Sequence, residues 1–137
     1  MEPASMVHAL ETIHDLLKPN GILIDLRPKG NPAEFWGHWG NVSNLLGQID
    51  ETDGFIEYRQ AARAMEQVVD KKLFRLQGSG EYNFIIHADS FEELKAYLAI
   101  EWTDAVIHPE IESKASEMKA EKISLHDFIH IGILTPL

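Results

Sequence analysis

A chain of 137 residues, 45% hydrophobic and 25% charged, is long enough for one domain with its own core, residues 1–137, and has no low-complexity run of the kind that stays disordered. With no cysteine, disulfides, thiol catalysis and thiolate metal sites are excluded, and a reducing compartment is expected. Twenty-two acidic residues against 12 basic ones, a net charge of −10, argue against nucleic acid and anionic membranes, whose phosphates are held by clustered Lys and Arg.

The first twelve residues, MEPASMVHALET, carry an acid at the second position and no basic stretch ahead of an apolar core, so they do not read as a secretory signal. No apolar run reaches membrane-spanning length, and the expected address is cytoplasmic. In SMVHALETIHDLLKPNG, Met6, Leu10, Ile13 and Leu17 recur at helical spacing. This predicts a helix from Ser5, as N-cap, to Lys18, stopped by Pro19-Asn20-Gly21. The run ILIDL that follows reads as a strand covered on both faces, ended by Arg27-Pro28.

AEFWGHWGNVSNLLGQID, with its aromatics and Gly37, Gly40 and Gly47, predicts a bent hairpin. A helix over 53–71 follows from the stripe Phe55, Ala62, Met65 and Val69, capped by Thr52 or Asp53 and ended by Lys71-Lys72. LFRLQGSGEYNFIIHAD alternates as a strand, with Gly78-Ser79-Gly80 as a kink or a bulge between two strands. Ser90 with Glu93 forms a capping box for a helix to Trp102. Pro109 suits the first turn of another helix through Ala120, and ISLHDFIHIGIL closes as a strand. The order is that of an α/β protein, a mixed β-sheet flanked by helices, with right-handed crossovers wherever strands run parallel.

Candidate chemistry gathers at few places. Asp25 and Arg27, two apart on the first strand, face one side near its carboxyl end, where open α/β sheets place ligands; a local ion pair is the plainer reading. His87, beside Asp89, ends another strand and is a candidate for the same rim. Phe35, Trp36, His38 and Trp39 form the densest aromatic cluster, suited to the core or a dimer contact, with Trp36 the candidate for ligand contact.

Other pairings read as structural. His126 and His130 share a strand face but stand about 13 Å apart at about 3.3 Å per residue, too far to hold one metal ion. The Gly78-Ser79-Gly80 run is followed by strand rather than helix, unlike a phosphate loop. Arg59 and Arg63, with Glu66 nearby, read as a solvated helix face. Neither a catalytic set nor a metal-ligand set is visible.

Ala9 to Pro28, ALETIHDLLKPNGILIDLRP, resembles the fourth helix and fifth strand of class I S-adenosylmethionine-dependent methyltransferases, where a helix commonly ends in an LKPGG turn before an apolar strand. The later elements are similar in order to the C-terminal half of that Rossmann-like fold. The family's glycine-rich cofactor loop and the acid ending its second strand have no counterpart here. The resemblance therefore implies no cofactor for the isolated chain, and S-adenosylmethionine only if a partner supplies the other half.

It also implies that ILIDL lacks the fourth strand it would pair with, leaving an open edge for a partner. The expected protein is a non-catalytic methyltransferase-like domain acting through homodimerisation or through ligand or protein binding. The alternatives are a subunit of a split methyltransferase and a small-molecule enzyme with its site at a dimer interface, using Arg27, His87 and Asp25.

Overall fold

The computed structural model describes residues 2–50 and 52–137, with the side chains of 3 and 52–55 excepted. In chain order the elements are α1 (Pro3–Leu16), β1 (Leu23–Pro28), β2 (Glu34–Trp39), β3 (Val42–Gln48), α2 (Thr52–Asp70), β4 (Phe74–Ala88), α3 (Phe91–Glu101), α4 (Pro109–Glu117) and β5 (Lys122–Pro136). The fold is α/β with a five-stranded sheet in the order β1-β5-β2-β3, β4 pairing with β5.

The expected mixed sheet with parallel crossovers is corrected in its direction. The registered pairs β1–β5, β2–β3 and β2–β5 are all antiparallel. β2 and β3 are joined by the two-residue turn Gly40-Asn41, with Gly40 at φ 55°, a conformation that glycine adopts without the Cβ penalty. β5 pairs antiparallel with β2 through Lys122–His126 and with β1 through Ile129–Leu134.

The chain divides into two compact units, and each of the long strands β4 and β5 contributes to both. The first unit comprises Met1–Gly30, Asp53–Tyr82 and Ile129–Leu137. Its core is Val7, Ala64, Val68, Phe74 and Leu134, packed by Met6, Leu10, Ile13 and Leu17 of the α1 stripe. α1 begins at Pro3, which occupies the first turn without needing a hydrogen-bonded N–H, so Ser5 is inside the helix and not its cap. The helix closes with Leu17 N–H donating to Ile13 O, and Gly21 N–H donates to Lys18 O at 2.8 Å across Pro19-Asn20. This is the reversal that the LKPNG run foretells. Among the described side chains of α2 the buried positions are Ala64 and Val68, flanked by Met65 and Val69. The proposed Thr52 or Asp53 cap and the Phe55 contact lie outside the described side chains.

The reading of β1 as covered on both faces is also corrected. Leu23 packs into the helix-side core, but Ile22, Ile24 and Leu26 are 53%, 54% and 57% exposed. An unbroken apolar run does not distinguish one covered face from two, and here the side chains alternate between a packed and an open face.

The second unit comprises Asn31–Thr52 and Asn83–Phe128. Its core joins Phe35, Leu46, Leu94, Leu98, Ile111 and Leu125. The predicted Ser90 cap starts α3, with Glu93 N–H donating to Ser90 Oγ at 3.1 Å; the return bond of the capping box is shifted by one residue, Glu93 Oε2 accepting from Asp89 N–H at 3.1 Å. Gly47 lies where an added Cβ would stand 2.8 Å from Ile111 Cγ1, so glycine there permits α4 to approach β3. β4 runs unbroken through Gly78-Ser79-Gly80.

Candidate functional site

In the first unit, the β1–β5 register places Leu23, Asp25 and Arg27 opposite Leu134, Gly132 and His130. All six side-chain positions share the face on which the buried Leu134 packs with α1 and α2. Asp25 Oδ2 accepts from Arg27 Nε at 3.0 Å and lies 3.7 Å from His130 Nε2. The pair is largely out of solvent, with side-chain exposures of 12% for Asp25 and 20% for Arg27. One carboxylate thus orients a guanidinium and faces an imidazole. A hollow of about 320 Å³ opens beside them, walled by Met65, Glu66 and Val69 of α2 and by Leu76 of β4.

The reverse face of the same two strands is aliphatic. Ile24 stands opposite Ile133 and Leu26 opposite Ile131. Beyond them β1 ends the sheet: it pairs with β5 on one side, and no described strand pairs with its other side. The first unit therefore combines an ordered charged row, an exposed aliphatic row and an unpaired backbone edge on a single strand of six residues.

The second unit holds Trp36 and His87. On β2, Glu34, Trp36 and His38 point away from the core that Phe35 enters. His38 Nδ1 is 2.8 Å from Ser43 Oγ of β3, and its Nε2 is 2.7 Å from Ser124 Oγ of β5. Ser124 Oγ is in turn 2.9 Å from His126 Nε2. Trp36 lies against the His126 ring, centroids 5.9 Å apart, and its Nε1–H donates to Glu34 Oε1 at 3.4 Å. Ser124 is wholly buried and has one proton to give and two lone pairs to accept with, so it can donate to only one of the two imidazoles, and at least one of the two Nε2 atoms donates to it. Among the described residues no group of His, Asp or Glu is arranged to hold a metal ion.

Burial, with His38 adding positive charge, holds the His126 imidazole below its ordinary value of 6.5; Glu34 opposes this and His87 reinforces it. A lowered folded value means that the unfolded chain binds more protons just below pH 6.5, so His126 favours folding above that pH and the contribution falls away as pH drops through the lowered value. Urea titrations at successive pH values are expected to show this loss, and His126→Gln is expected to flatten it. An unchanged pH profile in the variant would remove His126 from the effect.

Of the four residues singled out from the sequence, Asp25 and Arg27 meet directly in the first unit, while Trp36 and His87 belong to the second and both act on His126. His130 and Ser124 were not foreseen. The signal for His130 was present only as alternation in HIGIL, and its pairing with Arg27 depends on a register that no local pattern specifies.

These features define an α/β fold with an organised charged cluster and, at β1, an apolar strand whose outer edge no described strand pairs with. No family model, no curated protein and no solved structure matches the chain.

Proposed function

We propose that this chain is a non-catalytic domain, resembling the C-terminal half of a class I methyltransferase, that acts by self-association through β1. The observation that carries this reading is the unpaired edge of β1 with half-exposed Ile22, Ile24 and Leu26 beside it. An apolar edge strand is a template for pairing with another chain, and monomeric proteins blunt such edges with charge, proline, β-bulges or short length. The other terminal strands mix polar residues or glycine with their half-exposed apolar side chains: β3 carries Ser43, Asn44 and Gln48 beside Val42 and Leu45, and β4 carries Gly78-Ser79-Gly80 beside Leu76, Tyr82 and Phe84, whereas the row Ile22, Ile24 and Leu26 has neither. The LKPNG reversal before an apolar strand supports the methyltransferase likeness. S-adenosylmethionine enters this reading only with a partner that supplies a cofactor half.

Sedimentation equilibrium at micromolar concentration is expected to give twice the 15.5 kDa chain mass. Leu26→Lys is expected to return the protein to one chain mass with its circular dichroism unchanged, because Leu26 is already largely exposed and a charge there opposes burial against a partner. A monomeric parent protein with a cooperative melt would overturn the proposal.

A further inference from the structure

Resting on that self-association, the order of residues in β1 restricts how two copies meet. A strand paired antiparallel with its own copy is related to it by a two-fold axis, the closed and isologous arrangement of homodimers. When that axis is perpendicular to the sheet, opposing side chains lie on the same face, so the axis must pass through a residue position and the side chains flanking it meet in fixed pairs.

The possible centres differ sharply. An axis at Asp25 sets the two Asp25 carboxylates against each other, and an axis at Arg27 does the same to two guanidinium groups; like charges directly opposite are destabilising. An axis at Ile24 sets Asp25 opposite an apolar Leu23. An axis at Leu26 sets Asp25 of each copy opposite Arg27 of the other. It also sets Leu26 against its own counterpart, and Ile24 against Pro28. The first two of these contacts extend rows already present in each protomer, His130–Arg27 on one face and Ile131–Leu26 on the other.

We infer that a second copy of this chain docks on β1 antiparallel and in the register centred on Leu26, joining two sheets through paired Asp25–Arg27 contacts and a row of Leu26 and Ile131 side chains. Charge complementarity selects this occupant and this register: Asp25 and Arg27, two apart and opposite in sign, are self-complementary about the residue between them. The strand's sequence is thus its own partner sequence.

The lack of cysteine makes the register directly measurable. Residues opposite at the axis have Cα atoms about 4.5–5.5 Å apart, within disulfide range. In the proposed register the two copies of position 24 are separated by four residues, about 13 Å at about 3.3 Å per residue, outside that range. Leu26→Cys is therefore expected to give a covalent dimer on mild oxidation. Ile24→Cys alone is expected to give none, and an equimolar mixture of Ile24→Cys and Pro28→Cys is expected to cross-link. Ile24 and Leu26 are exposed, so neither cysteine disturbs a core.

If sedimentation shows a dimer but Leu26→Cys does not cross-link, or Ile24→Cys cross-links as well as Leu26→Cys, the register is overturned while self-association stands. If sedimentation shows a monomer, both are overturned.

Discussion

Replacing Phe35 by alanine is expected to cost about 3–5 kcal/mol, the range for emptying a fully packed aromatic site. Phe35 on β2 has no exposed surface, sits at the centre of the second unit's core and lies 6.1 Å from the Phe91 ring of α3 at an interplanar angle of 38°. The side chain is clasped by elements that cannot all collapse into the vacated space: the sheet spacing is fixed by hydrogen bonds on both sides of β2. Against a total stability of about 5–15 kcal/mol for a domain, such a loss leaves a protein that unfolds in low urea. Equilibrium urea titration measures it. Phe84→Ala supplies the contrast, because Phe84 is half exposed and its removal is expected to change stability by about 0.5 kcal/mol or less. Equal effects at the two positions would contradict the assignment of the core.

Asp25→Ala is expected to be the costliest polar substitution, at about 3 kcal/mol, by the general penalty for leaving a buried charge without its partner. Asp25 Oδ2 is the acceptor for Arg27 Nε and the nearest carboxylate oxygen to His130, in a setting that shields Asp25 and Arg27 from most solvent. Removing it leaves the shielded Arg27 guanidinium without the carboxylate that neutralises it. The attribution is testable by a second substitution. Asp25→Ala combined with Arg27→Met is expected to recover most of the lost stability, since the uncompensated charge is then gone and an apolar chain of similar length lies along the same path. If the double variant is no more stable than Asp25→Ala, the loss comes from packing and not from charge.

The elements that local chemistry dictates were legible in the sequence. The Met6, Leu10, Ile13 and Leu17 stripe, the Ser90–Glu93 box, Pro109 at a helix start and the glycine turn of the β2–β3 hairpin each depend on residues within a few positions of one another. What was not legible depends on pairing between distant strands. β5 gives no local indication that Ile129–Leu134 will meet β1 while Lys122–His126 meets β2. Hence the sheet's antiparallel direction, the placement of His130 against Arg27 and the insertion of Ser124 between two imidazoles emerge only with the register. Asp25 and Arg27 were visible as a pair because period-two spacing on a strand is itself a local signal. The half-open state of β1 was hidden for the opposite reason: Ile22, Ile24 and Leu26 are as apolar as side chains covered on both faces, and only their exposure distinguishes them.

That exposure is the foundation of the proposal that β1 is a contact strand. Amide hydrogen exchange over residues 22–28, followed from dilute to concentrated protein, tests it most directly, since the outward-facing amides of an edge strand gain partners only when another strand is added. Protection that increases with protein concentration in this segment, and is lost in Leu26→Lys, is the predicted result. Fast exchange of those outward amides at every concentration would contradict it.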